Sequence, residues 1–311
     1  MMKKPLILAI LGMFIVHDSN AFLPKRAIYG ADDRIEINQI TNPRIKEQAR
    51  SVALMISSNR LFSIDEDHFS FFSVNLGDAA NLCPASRFRG QPTLGVCSGF
   101  LVSPNKIVTA GHCITSQSEC DNFSWAFNFN SSHNDQIKKS TVYKCKSIIK
   151  SVSEKTQNRI QDYAVIELDR DVTGAKPLSI RKKGKIITGT RLYVLGHPNG
   201  IPMKFSDDAK VSSLIKFNFS LGEDFGLQKS KNYPYRKDIF LTNLDTFTGN
   251  SGSPVFNRRT GEVEGILIEG ETDYEFDMNE GCNNVYKMPQ KKFDQGESVQ
   301  RITTIPEELL Q

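Results

Sequence analysis

"TFTGNSGSPVF" spans Thr246–Phe256 and sets Ser251 between Gly249 and Gly252, three residues before Pro254. Two readings compete for it. Gly and Ser favour a tight turn, here one that leads into a strand. A serine between glycines also has an uncrowded hydroxyl and exposed backbone N–H groups. An acyl-transfer nucleophile with an oxyanion hole needs both. The stretch alone does not choose, so the residues elsewhere must.

Five histidines are present: His17, His68, His112, His133 and His197. His112 stands in "TAGHC", at the end of an apolar run, with Gly111 and Cys113 beside it. A general base must be held rigidly within reach of its nucleophile, and a neighbouring cysteine could pin such a loop. Asp162 opens "DYAVIEL". An aspartate entering an apolar strand risks burial and needs a partner, although it could equally be a turn residue at the strand entry. A histidine N–H suits it, since the carboxylate then fixes the tautomer and stabilises the imidazolium. His68 and His133 lie in polar loops, and His197, in "VLGHPNG", reads as structural. No two histidines have the spacing of helix-borne metal ligands, so neither a metal nor any other cofactor is expected.

Working outward, short apolar runs bounded by Gly, Pro, Asn or Asp recur at 51–57, 98–103, 106–111, 163–168, 191–196 and 263–270. They read as strands. "FSWAFNF" (123–129) alternates, with Phe123, Trp125, Phe127 and Phe129 on one face, which fits a core. "TNPRIKEQAR" reads as a short helix with Asn42 as N-cap and Pro43 in its first turn. Many short strands with turn signals indicate antiparallel barrels, and the length suits two. The charged, Gly- and Pro-containing stretch 169–185 is the natural connector.

The blocks in the order His112, Asp162, Ser251 resemble the chymotrypsin-fold serine peptidases. "CSGFLVSPNKIVTAGHC" is similar to that family's histidine block, "DYAVIEL" to its aspartate block and "GNSGSPVF" to its serine block. The order also argues against an α/β-hydrolase, in which the serine comes first. The resemblance, over about residues 27–290, implies two six-stranded antiparallel β-barrels, with a short C-terminal helix in a tail from residue 291. The first barrel (27–170) would carry His112 and Asp162, and the second (171–290) Ser251. Ser251 would be the nucleophile, His112 the base, Asp162 its orienting partner, and Gly249 and Ser251 the oxyanion-hole donors. Within that family the chain resembles the bacterial glutamyl endopeptidases, with Asn250 where digestive enzymes carry an aspartate. Asn250 cannot make the ion pair to a freed N-terminus that such an aspartate makes. The implied pocket comprises Asp245 at its base, Thr246 beside it, Leu267 and Gly270 on the opposite wall, and the amine of Ala27. Asp245 and Glu269 favour cleavage after Arg or Lys. Thr246 and the Ala27 amine favour Glu as the alternative. A catalytically inactive binding protein on the same fold, and an esterase, are the rival functions.

The N-terminus reads as a leader. Lys3 and Lys4 precede the apolar run Pro5–Val16, and the small residues Ser19 and Ala21 place cleavage after Ala21. Residues 22–26 then form a short propeptide ending in Lys25-Arg26. The similarity of "AIYGADDRIEI" to mature relatives makes Ala27 the expected new N-terminus of a zymogen. The formal net charge is +4, and most of it belongs to these removed segments, so no nucleic-acid partner is expected. Without the leader no stretch reaches the length of a membrane span. A secreted or periplasmic monomer acting on protein or peptide substrates is the expectation.

Six cysteines behind a signal peptide read as three disulfides, with fifteen connectivities open to the sequence. The family resemblance implies Cys97–Cys113 across the histidine-block hairpin. Cys120–Cys145 and Cys83–Cys282 are the expectation for the rest.

Overall fold

The computed structural model describes residues 27–132, 135–156, 159–214, 220–221, 227–228, 237–270, 272–288 and 296–311. The leader, the propeptide with Lys25-Arg26, His17 and His133 lie outside them. Two antiparallel barrels of six strands each make up the fold.

The first barrel comprises β1 (Val52–Ser57), β2 (Cys97–Ser103), β3 (Lys106–Thr109), β4 (Phe123–Phe127), β5 (Val142–Lys155) and β6 (Ile160–Leu168). They pair in the order β4-β5-β6-β3-β2-β1, and β1 closes on β4. Its interior holds Met55, Leu101, Ile107, Trp125, Phe127, Tyr143 and Ile166. Burying each such side chain contributes about 1.5–3 kcal/mol. Trp125 and Phe127 point into this interior as the alternation predicts. Phe129 lies beyond the end of β4 and packs instead with Leu54, Phe71 and Ile137 on the outside of the sheet.

The second barrel comprises β7 (Arg191–Gly196), β8 (Lys204–Ser213), β9 (Ile239–Thr242), β10 (Pro254–Asn257), β11 (Val263–Glu269) and β12 (Glu297–Arg301). The order is β7-β10-β11-β12-β9-β8, with β8 closing on β7 and Ile35–Glu36 added to β8. Here the tail expectation needs correcting. Glu297–Arg301 is a barrel strand hydrogen-bonded to both β11 and β9, so the second barrel runs past residue 290. It is wholly buried, and "ESVQR" carries too few apolar residues to signal that. Only the short 3-10 turns Ile302–Thr304 and Glu307–Leu309 follow it.

The barrels share a seam. Phe100, Val108 and Val165 from the first pack with Tyr193, Phe256 and Ile266 from the second. Tyr193 and Phe256 stack with ring centroids 4.7 Å apart. The helix Pro43–Ala49 adds Ile45 and Ala49 to this seam. Its N-terminus is capped as expected, since Asn42 Oδ1 accepts the Arg44 N–H at 3.0 Å.

The disulfides are Cys97–Cys113, Cys120–Cys145 and Cys83–Cys282. Cys83–Cys282 closes a separation of 199 residues and ties the loop before β2 to the hairpin of Tyr274–Asp277 and Cys282–Val285. A loop of that size corresponds to about 5 kcal/mol in the chain-entropy account.

Candidate active site

His112 sits in the tight turn Gly111–Cys113 that ends β3. Asp162 lies on β6, which pairs with β3. This pairing brings them together. The carboxylate accepts the His112 backbone N–H at 2.8 Å and Nδ1–H at 2.7 Å. The second bond fixes the tautomer and leaves the Nε2 lone pair as the proton acceptor. The Asp162 hydrogen bond holds the His112 pKa above its usual 6.5 against partial burial, with smaller help from the charges of Asp162 and Glu269. Cys113, next in sequence, is fixed by its disulfide to Cys97 on β2.

Ser251 lies in the loop between β9 and β10, and first-barrel groups hold that loop. Ser98 N donates to Ser251 O at 2.8 Å, and Ser98 Oγ donates to Gly249 O at 2.9 Å. Cys113 Sγ lies 3.8 Å from Ser251 O, so the histidine and serine blocks touch. Two glycines are required by this docking. Gly249 and Gly252 have φ of 91° and 89°, where a side chain is strained. A Cβ on Gly252 would also lie 2.0 Å from Ser98 O, and one on Gly249 2.7 Å from His197 O. The N–H of Asn250 is bonded to Phe247 O at 2.9 Å. Among the described residues, no acceptor takes the N–H groups of Gly249 and Ser251 on either side of it.

His197 is fully buried, and burial pushes its pKa down to about 3. Its N–H donates to Ser98 Oγ at 3.0 Å and its carbonyl accepts from Gly200 N at 3.0 Å. It is a neutral buttress under Gly249. The sequence reading had not assigned "VLGHPNG" or Ser98 this support of the serine loop. His68, on a surface strand, faces Asp65. One group of metal-type ligands exists among the described residues, Cys97, His112 and Cys113. Both of its sulfurs are already in the disulfide.

The substrate side departs from expectation at two residues. Asp245 is buried, and its carboxylate accepts the backbone N–H of Tyr29 at 2.8 Å and of Asp33 at 3.2 Å. It therefore anchors the N-terminal segment rather than presenting charge to a substrate. Burial, helped by Asp33 and Asp32, raises its pKa to about 7. Leu267 does not form a wall either. β11 turns its side chain into the second-barrel core, against Val194, Phe240 and Val299. Its backbone instead accepts the Gly252 N–H at 2.7 Å and donates to Ser253 O at 3.0 Å.

Thr246 and Gly270 do come together, around a residue the sequence reading missed. Thr246 Oγ1 donates to Glu297 Oε2, and Tyr29 Oη donates to Glu297 Oε1 at 3.3 Å. Glu297 is buried and begins β12. Ala27 is also buried, packed with Ile28 and Phe247 beside the serine loop. Glu269 pairs with Lys155 at 2.8 Å.

The trypsin-like peptidase domain family matches residues 97–266, more than half of the sequence. The chain belongs to the trypsin-like peptidases. It is a serine peptidase, and hence a hydrolase, with proteins or peptides as substrates. Among solved structures, the Vibrio cholerae VesB protease is 13% identical over 87% of this chain and 64% of that one, with a TM-score of 0.51. A Glu endopeptidase is 18% identical, covering 85% of this chain and 94% of that one, with a TM-score of 0.45. The active form of an M. tuberculosis protease is 14% identical, covering 89% and 86%, with a TM-score of 0.46. At 13% identity the likeness to the VesB protease speaks to fold alone. No curated protein matches the sequence. No helix among the described residues of this peptidase is long and apolar enough to cross a membrane. The three disulfides fit an extracytoplasmic location.

Proposed function

We propose that the chain is a secreted serine endopeptidase that works through Ser251, His112 and Asp162 and an acyl-enzyme. The observation that carries this is the two-bond grip of Asp162 on His112, beside a serine loop docked on the same barrel. Ser251 Oγ attacks the scissile carbonyl carbon while His112 Nε2 takes its proton. Asp162 stabilises the imidazolium. The N–H groups of Gly249 and Ser251 receive the oxyanion. The C–N bond then breaks and His112 returns the proton to the leaving amine. Water, deprotonated by His112, cleaves the acyl ester and regenerates Ser251. Residues 1–21 direct export, and cleavage after Arg26 starts the mature chain at Ala27. The buried place of Ala27 against Phe247 supports a link between that cleavage and the serine loop.

The test is Ser251→Ala. Peptide-bond turnover should fall about a million-fold while thermal unfolding stays unchanged. A fluorophosphonate should label the native protein and not the variant. Peptidase activity near the native level in Ser251→Ala would overturn the assignment. A native protein that neither labels nor cleaves peptides would favour the inactive binding protein.

A further inference from the structure

Glu297 is the residue around which the substrate-side segments converge. Thr246 reaches it from the loop that leads to Ser251, and Tyr29 from the N-terminal segment. Gly270, just past β11, covers it. A Cβ on Gly270 would lie 2.8 Å from Glu297 Oε2 and 3.9 Å from Thr246 Oγ1. Gly270 itself is exposed, whereas Glu297 is not. The carboxylate thus lies directly under the one wall position that has no side chain. The same wall is tied to the nucleophile, because Leu267 on β11 hydrogen-bonds Gly252 and Ser253.

We infer that Glu297 is the specificity-determining residue of this peptidase, and that it selects Arg or Lys before the scissile bond. The inference rests on the reading of Ser251 as nucleophile. The two hydroxyl donors orient the carboxylate, and burial strengthens its field because little water screens it. A guanidinium or ammonium entering past Gly270 meets an anion at the end of its reach. A glutamate side chain entering there meets like charge. Asp245 does not compete for this role, since its carboxylate faces the N-terminal segment, where it accepts the backbone N–H groups of Tyr29 and Asp33.

The experiment compares kcat/KM on peptides differing only in the residue before the cut: Arg, Lys, Gln, Glu and Ala. It uses the matured native protein, Glu297→Gln and Gly270→Val, all titrated with a fluorophosphonate. The native enzyme should prefer Arg and Lys over Gln by at least about 100-fold. In Glu297→Gln that ratio should fall by about 100- to 1000-fold, the range for breaking a buried charge pair. Benzamidine, a small aromatic cation, should inhibit the native enzyme and lose about the same factor against Glu297→Gln. Gly270→Val blocks the approach and keeps the carboxylate in the protein, with its Cβ pressing on Glu297 Oε2. It should penalise Arg and Lys relative to Ala, and it decides the matter if Glu297→Gln does not fold. A native preference for Glu or a neutral residue would overturn the inference. So would an Arg/Lys-to-Gln ratio unchanged in Glu297→Gln, or uniform losses on every substrate. In each of those cases fluorophosphonate labelling would still uphold Ser251, whereas loss of labelling in the native enzyme would sink both readings.

Discussion

His112 and Asp162 are 50 residues apart and meet where the turn that ends β3 lies beside β6 of the same barrel. The substrate-side cluster is assembled differently. Tyr29 and Glu297 are 268 residues apart, and they meet Thr246 and Gly270 only once the second barrel has closed. The first arrangement depends on a single strand pairing and two hydrogen bonds. The second depends on the whole circuit of strands, including the last one. The two regions touch directly where Asp162 N donates to Gln300 Oε1 on β12 at 3.3 Å. They also meet in the serine loop, where Ser98 is the joint: its backbone holds Ser251 and its hydroxyl holds Gly249.

The largest effect expected of that division is on the catalytic pair. Asp162→Asn should lower kcat by about 10,000-fold, because the amide no longer fixes the tautomer that leaves Nε2 free. The pH profile gives a second readout. The Asp162 hydrogen bond raises the His112 pKa, and the base works when neutral, so native kcat/KM should rise with pH through a value above 6.5. In the variant that limb should move to lower pH, while the preference for Arg over Gln stays put. A variant that changed the preference as much as the rate would break the separation between the two regions.

A smaller effect tests the joint. Ser98→Ala leaves Gly249 O and the His197 N–H without their buried partner. Each orphaned group costs about 1–3 kcal/mol, read as a lower midpoint in urea unfolding. The loosened Gly249 should also cost roughly 10-fold in kcat, from an oxyanion donor that is no longer held in place. Loss of stability with kcat intact would mean that the Ser98 backbone bond to Ser251 O is enough to hold the serine loop without the hydroxyl.

What the sequence made legible follows the same line. The His112, Asp162 and Ser251 blocks are local: each is an apolar strand with its functional residue at or near one end. The strands at 52–57, 97–103, 106–109 and 191–196 announce themselves for the same reason. β5 was hidden because its Lys and Ser residues lie half-exposed on a long, bulged hairpin with β6. β12 was hidden for the opposite reason. Its polar residues are wholly buried, with Gln300 and Arg301 inside and Glu297 bonded to hydroxyls from distant segments. Asp245 was misjudged because its offset from Ser251 fixes where the backbone lies but not where the carboxylate turns. No local pattern reports that Tyr29 N and Asp33 N will arrive to claim it.

That last point carries the smallest and most particular expectation. Burial in the first place, and then the charges of Asp33 and Asp32, raise Asp245 from 3.8 to about 7, against the pull of the Tyr29 and Asp33 N–H groups. For an acid with a raised folded pKa, the folded state prefers the protonated form. The favourable contribution is complete below about pH 4 and is lost as pH climbs through about 7. Asp245→Asn has no such charge to bury, but one of its two oxygens becomes an NH2 that cannot accept the second N–H. At pH 5 the variant should therefore melt below the native protein. The gap should shrink as pH rises to 8, as the native carboxylate ionises in its buried site. Melting temperatures of both proteins at pH 5, 6, 7 and 8 read this directly. A gap that stays constant would mean that Asp245 remains ionised throughout. A gap that widens would mean that its charge stabilises the fold. In either event the preference for Arg over Gln should be unaltered in Asp245→Asn, because the carboxylate faces the N-terminal segment and Glu297 faces Gly270. Loss of that preference in Asp245→Asn would return the selectivity to Asp245 and erase the distinction between the two buried acids.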